Sequence, residues 1–197
     1  MIGNFRRVAA ALLALACSLS ACSSGTDVSV PQGGGFELVS PGGLSEFDYP
    51  AAQRKPLGEI SGPTLTGDGR VSVADYPDKV VVLNFWGSWC TACRAEAPLL
   101  AAAARELASD GVQFVGVNVR ESDRQNGADY DSVRGTPYPS IYDKQVQVLA
   151  SIPGFPITGI PSTIVLDRQH RVAHVWIRAF ASPSELQSVV KIVAAES

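Results

Sequence analysis

The stretch that decides the fold runs from Val80 to Pro98 and reads VVVLNFWGSWCTACRAEAP. It opens with an almost continuous apolar run, Val80–Trp86, which is typical of a central strand buried on both faces. An Ala- and Leu-rich segment with strong helix propensity follows from Ala92 to Ala108. Between strand and helix lie Cys90 and Cys93, in C-x-x-C spacing. This order raises three possibilities for the cysteines: a redox pair, half of a metal site, or two buried thiols.

The position of the cysteines favours thiol–disulfide chemistry. Cys90 opens the predicted helix, where free backbone N–H groups and the positive end of the helix dipole stabilise a thiolate. The thiolate is the species that attacks a disulfide. A spacing of three places the sulfur of Cys93 one helical turn further on, so that it can close onto Cys90. We therefore predict that Cys90 is the attacking cysteine and Cys93 the resolving one.

A metal site is the first alternative. His170 and His174 have H-x₃-H spacing and, with the cysteine pair, supply the ligand types of a zinc finger. However, 76 residues separate the two pairs, far more than the usual loop of such a site. We expect no metal and no cofactor. A structural disulfide and a pair of inert buried thiols remain open as further alternatives.

The N-terminus has the features of an export signal. Two arginines precede an apolar run, Val8–Leu19, that is too short to cross a bilayer of about 30 Å as a helix. The small residues of the sequence LSAC at 19–22 resemble a bacterial lipobox. We expect residues 1–21 to be a lipoprotein signal peptide and Cys22 to carry a lipid. The protein would then be exported and anchored to the outer face of the cytoplasmic membrane. The alternative is an ordinary cleavage site with a chance cysteine.

Charge and cysteine usage narrow the class of protein. The formal charge of the 197-residue chain is −3, and removal of two arginines with residues 1–21 makes it −5. An acidic protein favours neither nucleic acid nor an anionic lipid surface, so we expect no nucleic-acid partner. Cys17 would leave with the signal peptide and Cys22 would be lipidated. Only Cys90 and Cys93 would remain as thiols in an oxidising compartment.

The rest of the chain predicts one α/β domain behind a tether. Residues 22–56 are rich in Gly, Ser and Pro and predict a lipidated cysteine followed by a flexible tether. Residues 57–197 then form the domain, in which alternating strands and helices imply parallel pairing and a final hairpin adds an antiparallel edge. Further strands are predicted at Arg70–Val73, Val112–Val119, Ser162–Asp167 and Val172–Ile177, and helices at Ala128–Val133, Lys144–Ala150 and Pro183–Ala194.

Three stretches of the chain resemble a known family. VVVLNFWGSWCTACRAEAP, VGVNVRES at 115–122 and GIPSTIVLD at 159–167 resemble the TlpA/ResA/DsbE group of membrane-tethered thioredoxin-fold proteins, and most of all the ResA-type proteins of cytochrome c maturation. The resemblance covers roughly residues 57–195 and is weakest over 121–156. It implies a thioredoxin fold with an N-terminal strand extension and a helical insert before the C-terminal β-hairpin.

The resemblance also implies roles for residues outside the cysteine pair. Pro161 matches a proline that is cis in this fold and faces the disulfide, and Ile160 would offer its backbone to an extended substrate segment. Glu96 completes a Cys-x-x-Glu pattern and would tune thiol acidity and relay protons, since a nearby carboxylate disfavours a thiolate. Asn84 replaces an acid of thioredoxin, and Trp89 would contact a partner at the surface. For Pro161 the alternative is a trans proline that starts a strand. For Glu96 the alternative is an exposed glutamate on the helix.

The implied function is an extracytoplasmic thiol–disulfide oxidoreductase. It would reduce the heme-binding cysteines of apocytochrome c, or a carrier of that pathway, and would draw electrons from a membrane donor of the CcdA or DsbD type. The dipeptide Thr91-Ala92 departs from ResA-like proteins, which commonly have proline second, so the direction of electron flow stays open. The alternatives are an oxidase or isomerase with the same site and a non-catalytic lipoprotein binding module. A peroxidase is disfavoured because its local motif differs.

Overall fold

The computed structural model describes residues 35–40 and 43–196. The predicted signal peptide and the predicted lipidation at Cys22 therefore lie outside the described residues. The described strands are β1 Glu46–Asp48, β2 Ser61–Pro63, β3 Arg70–Ser72, β4 Val80–Trp86, β5 Val112–Val119, β6 Ser140–Asp143, β7 Ser162–Leu166 and β8 Val172–Trp176, and the α-helices are α1 Thr91–Leu107, α2 Arg124–Arg134, α3 Gln147–Ser151 and α4 Pro183–Ala195.

A six-stranded mixed sheet in the order β1-β8-β7-β4-β5-β6 organises the domain. β4 pairs in parallel with β5 and antiparallel with β7, so the strand that leads into the cysteines is central. β2 and β3 form a separate antiparallel hairpin. The sheet with α1 after β4 and the β7–β8 hairpin near the end confirms the predicted thioredoxin fold. β4 and β5 have the bounds that the sequence predicts.

The side chains of β4 alternate between two cores. Val80 and Val82 belong to the cluster that α1 and α4 cover, while Leu83 and Phe85 belong to the cluster on the opposite face. Because side chains alternate along a strand, Asn84 shares the α1 face with Val82. The single polar side chain of the strand thus lies beneath the first turns of α1.

The predicted insert contains a strand that the sequence did not suggest. β6 pairs in parallel with β5 and extends the sheet, so the expectation of helices alone in this segment was wrong. Its four residues are too few to show a periodic pattern, and only their pairing with β5 defines the strand. The two predicted helices are present as α2 and α3, and the side chain of Asp123 caps α2 by accepting a hydrogen bond from the Gln125 N–H at 3.0 Å.

The fold includes residues that the sequence assigned to the tether. Phe36 and Leu38 are buried in the core, and β1 pairs with β8 and forms one edge of the sheet. The Gly- and Pro-rich composition of the segment obscures these isolated apolar positions, which become buried only through tertiary packing. Within residues 35–40 and 43–196, no helix combines the length and the apolar character needed to cross a membrane.

Candidate active site

Cys90 and Cys93 form a disulfide at the start of α1, with an S–S distance of 2.09 Å. Cys90 is the N-cap residue of the helix, and its sulfur accepts a hydrogen bond from the Cys93 N–H at 3.1 Å. Both sulfur-bearing side chains are buried among apolar neighbours. When the disulfide is reduced, the same N–H group and the helix dipole favour a thiolate at Cys90. The geometry therefore suits the attacking role predicted for this cysteine.

A tight turn brings β4 to the cysteines and folds Trp89 back over it. The Cys90 N–H donates to the Gly87 carbonyl at 3.1 Å, and a Cβ at Gly87 would lie only 2.5 Å from the Trp89 ring. Glycine at position 87 thus allows the indole to lie against the turn. The indole Nε1 donates to the Val119 carbonyl at 3.1 Å, while 48% of the residue's surface stays exposed. Trp89 is at the surface beside the disulfide, where the sequence placed it.

Sequence analysis missed Glu121, whose carboxylate is hydrogen-bonded to this turn through Ser88. Its carboxylate is buried and accepts hydrogen bonds from the Ser88 N–H at 3.0 Å, the Ser88 hydroxyl at 2.8 Å and the Asn118 amide at 3.1 Å. Three donors satisfy the buried charge, as a buried carboxylate requires. The available signal was an acidic residue two positions after Val112–Val119, a strand that the sequence predicts to be buried. Glu121 fixes the residue that precedes Trp89 and Cys90.

Glu96 lies on α1, three residues after Cys93, and is buried with 4% of its surface exposed. Its Oε1 accepts a hydrogen bond from the Asn84 amide at 3.1 Å. Burial raises the pKa of Glu96 from 4.5 to about 7, and the hydrogen bonds from Asn84 and from the Phe180 backbone only partly oppose this rise. The alternative of an exposed helix glutamate is wrong. A carboxyl group with a pKa near 7 can both take up and release a proton at neutral pH.

A small pocket of about 20 Å³ reaches Cys93 from the side of α2. Asn84 and Trp86 form its floor on β4, and Tyr130 and Asp131 of α2 line it from the other side. The Trp86 and Tyr130 rings pack with their centroids 5.7 Å apart. The pocket approaches the resolving cysteine and the residue that hydrogen-bonds Glu96, on a side of the site that the cis-proline loop does not cover.

The Ile160–Pro161 peptide bond is cis, as the resemblance predicts. Ile160 is half-buried and packs against the cluster formed by Leu65, Trp86 and the two cysteines. The structure thus gathers at one end of β4 the residues that the sequence proposed from separate parts of the chain: Cys90, Cys93, Glu96, Trp89, Ile160 and Pro161. Their individual roles toward a substrate stay predictions.

Comparison with known proteins identifies the family to which the chain is related. The model of the AhpC/TSA family matches residues 54–175. The thiol-disulfide oxidoreductase ResA of Bacillus subtilis is 32% identical over 110 residues, which are 56% of this chain and 59% of ResA. The thiol:disulfide interchange protein HelX of Rhodobacter capsulatus is 30% identical over 140 residues, 67% of each chain. The chain thus spans somewhat more than half the length of ResA.

Solved structures agree in fold. A secreted thiol-disulfide isomerase from Corynebacterium glutamicum superposes with a TM-score of 0.80 at 38% identity, covering 83% of this chain and all of the other. A DsbF homologue from Corynebacterium diphtheriae gives a TM-score of 0.75 at 42% identity, covering 80% of this chain and 98% of the other. These relatives confirm the resemblance to ResA- and DsbE-type proteins. The AhpC/TSA family model matches more than half of the chain, which shows that the chain belongs to the AhpC/TSA family.

Proposed function

We propose that this protein is an extracytoplasmic thiol–disulfide oxidoreductase that works through Cys90 and Cys93. The observation that carries the proposal is the disulfide at the N-terminus of α1, with Cys90 as the N-cap residue. A helix N-terminus lowers the pKa of a cysteine there and so prepares it as a nucleophile. The relatives named as thiol-disulfide oxidoreductases and interchange proteins support the same chemistry.

The reaction proceeds by two exchanges. The Cys90 thiolate attacks one sulfur of a substrate disulfide, so that a mixed disulfide forms and one substrate sulfur leaves as a thiolate. Cys93 then loses its proton and attacks the Cys90 sulfur, which releases the second substrate thiol. The substrate gains two electrons and the protein ends with the Cys90–Cys93 disulfide. Glu96, three residues after Cys93 on the same helix, would accept the proton of Cys93 in the second exchange.

Substrate recognition would occur at the edge of the site. An extended segment of a protein substrate would lie along the backbone of Ile160, next to the cis peptide bond with Pro161. Trp89, half-exposed beside Cys90, would contact the same segment. Both residues border the disulfide, as this role requires.

The preferred direction of electron flow is reduction of the heme-binding cysteines of apocytochrome c, or of a carrier of that pathway. This direction rests on the resemblance to ResA-type proteins of cytochrome c maturation. A membrane donor of the CcdA or DsbD type would re-reduce the protein, and a lipid on Cys22 would hold it at the membrane near that donor. A second candidate is disulfide isomerisation or oxidation in exported proteins, which the likeness to the secreted isomerase of C. glutamicum favours.

The redox equilibrium of the purified protein against defined thiol buffers tests the proposal. Alkylation and mass spectrometry would count the free thiols at each buffer potential. A midpoint at or below about −220 mV supports a dedicated reductant, while a midpoint near about −120 mV supports the oxidant. A pair that never exchanges would leave a structural disulfide and a binding module.

Two variants separate catalysis from binding. Cys93→Ser should accumulate a mixed disulfide between Cys90 and a substrate protein, because no resolving thiol remains. Cys90→Ser should abolish both turnover and trapping. A binding module would retain its partner in both variants. Hydrogen peroxide, supplied in place of a disulfide, is a further control and should not be turned over.

A further inference from the structure

The first described segment of the chain, residues 35–40, is bound to the loop that leads into the active site. We call this segment the N-terminal arm and residues 153–161 the cis-proline loop. The Leu38 N–H donates to the Pro153 carbonyl at 2.9 Å. Gly154 has a φ of +75°, and a Cβ there would lie 2.0 Å from the Leu38 carbonyl oxygen. The arm and the loop therefore touch through their backbones, at a position that only glycine permits.

Buried side chains anchor the arm from the domain side. Leu38 is 3% exposed and Phe36 4% exposed, and both belong to the core on the face of the sheet opposite α1. The Phe36 ring packs edge-on against Tyr49, with the ring centroids 5.4 Å apart. Burial of two large apolar side chains is favourable, so these contacts hold the arm against the domain. The next residue, Val39, is 67% exposed and takes no part in the anchoring.

The cis-proline loop has few other fixed points. Phe155 packs against Phe85 of β4, with centroids 6.0 Å apart, and Arg120 donates to the Ile157 carbonyl. Within the loop, the Gly159 N–H donates to the Pro156 carbonyl at 2.9 Å. Residues 156–158 are exposed. Loops with few buried contacts are the parts of a fold that open first, so each fixed point has a large share in holding the loop.

We propose that the N-terminal arm positions the cis-proline loop for an extended protein substrate, with Leu38 and Gly154 as positioning residues. Leu38 contacts Pro153 and Gly154 directly, and the loop then runs on to Ile160, which packs against the cluster that holds the two cysteines. This inference rests on the proposed thiol–disulfide exchange. Loss of the arm from its site lets the loop shift, which weakens binding of the substrate segment. The cysteine pair itself is held by the start of α1, so its chemistry stays unchanged.

Two variants of the full chain test the inference, each with a matched control. Leu38→Ala removes the buried anchor, and Val39→Ala makes a similar truncation at the exposed neighbour. Gly154→Ala forces the loop away from the Leu38 carbonyl. Gly135→Ala imposes the same left-handed backbone penalty, since Gly135 has a φ of +57°, at a position with no atom within 4 Å of its Cβ site. Circular dichroism establishes that each variant is folded.

Two rates are compared for each protein: reduction of Cys90–Cys93 by dithiothreitol, and reduction of a disulfide-bonded peptide with a C-x-x-C-H segment. We expect Leu38→Ala and Gly154→Ala to raise the KM for the peptide at least about fivefold, with the dithiothreitol rate and the midpoint potential unchanged. The two controls should match the wild type in both rates. Leu38→Ala serves alone if Gly154→Ala does not fold.

Two results would overturn the inference while leaving the proposed function intact. One is an unchanged KM for the peptide in a folded Leu38→Ala variant. The other is an equal fall in both rates, which would indicate a general disturbance of the fold. A wild-type protein that dithiothreitol reduces but that turns over no peptide would refute the substrate-loop role of the arm. A wild-type protein that exchanges with neither reagent would refute the proposed function itself.

Discussion

The side-chain amide of Asn84 donates a 3.1 Å hydrogen bond to the carboxyl group of Glu96, which joins the centre of β4 to α1. The same amide donates to the Thr163 hydroxyl at 3.1 Å, so it also ties this pair to β7. Asn84 cannot titrate, whereas Glu96 can. The titratable member of this pair therefore lies on the helix, and the strand supplies the amide that hydrogen-bonds it.

The first prediction concerns the pH dependence of stability. Burial, opposed by the hydrogen bonds from Asn84 and Phe180, raises the pKa of Glu96 from 4.5 to about 7 in the folded protein. A raised pKa in the folded state means that the unfolded chain loses its proton first as pH rises. The stability contributed by the protonated carboxyl group is full below about pH 4.5 and is lost by pH values above about 7.

The rise in the pKa of Glu96 from 4.5 to about 7 corresponds to about 3 kcal/mol in the free energy of unfolding. Between pH 4.5 and 7.5, the free energy of unfolding of the wild type should fall by up to that amount more than that of Glu96→Gln. Denaturant unfolding at several pH values would measure both. Glu106→Gln, a half-exposed position on the same helix, should follow the wild type. Parallel curves for wild type and Glu96→Gln would show that Glu96 titrates in its ordinary range.

The second prediction concerns the rate at which Cys93 resolves a mixed disulfide. Loss of a positioned general base typically slows a proton-transfer step by about 10²-fold or more. We expect Glu96→Gln to slow resolution at pH 7 by about that factor and to remove a kinetic inflection near pH 7 from the pH–rate profile. Stopped-flow mixing with a chromogenic disulfide would resolve this step. An inflection that persists in Glu96→Gln would assign it to another group.

The part of the site that the sequence predicted was encoded locally. The continuous apolar run of β4, the C-x-x-C and the Ala-rich helix lie within one stretch, so pattern and spacing were enough. The resemblance to ResA-type proteins, which share the Cys-x-x-Glu pattern, pointed to Glu96. The resemblance supplied the cis peptide at Pro161, whose place beside the disulfide depends on strand pairing between β4 and β7.

The parts that the sequence did not predict depend on contacts between distant segments. Glu121 can hold the turn after β4 only because the end of β5 lies next to that turn, where the Ser88 N–H and hydroxyl both donate to its carboxylate. Leu38 is one apolar residue in a Gly- and Pro-rich segment, and its partner Pro153 is more than a hundred residues away. No local periodicity marks either residue. The four residues of β6 likewise become a strand only beside β5.

The third prediction concerns the carboxylate that supports the Ser88 turn. Glu121→Ala leaves the Ser88 N–H and the Asn118 amide without their partner, and a buried unsatisfied donor costs about 1–3 kcal/mol. We expect a loss of about 3 kcal/mol in the free energy of unfolding, together with slower attack by Cys90 because its turn is no longer fixed. Asp123→Ala, two residues away, removes only a helix cap and should cost about 1 kcal/mol. Equal losses in the two variants would contradict a special role for Glu121.

The fourth prediction concerns Arg54, which pairs with Asp167 and with Glu196, the last described residue. Arg54 donates to the Tyr49 carbonyl at 2.9 Å and to Glu196 Oε1 at 2.9 Å, and its Nη1 lies 3.5 Å from Asp167 Oδ2. The Arg54 and Asp167 side chains are only 5% and 4% exposed. Burial would raise the pKa of Asp167, but hydrogen bonds and charge from Arg171 lower it on balance, so this carboxylate is charged at neutral pH.

Arg54→Met keeps most of the side-chain volume but leaves Asp167 with Arg171 as its only cationic partner among the ion pairs of the described residues. Removal of one member of a buried pair costs up to about 3–5 kcal/mol. We expect a loss of about 3 kcal/mol here, because Asp167 keeps Arg171 as a partner. The Lys191–Glu106 pair provides the contrast, since both side chains are about half exposed. Lys191→Met should change stability far less than Arg54→Met does, because an exposed ion pair contributes little. Denaturant unfolding of both variants at pH 7 would measure the difference, and a loss in Arg54→Met no larger than in Lys191→Met would show that Arg171 alone compensates Asp167.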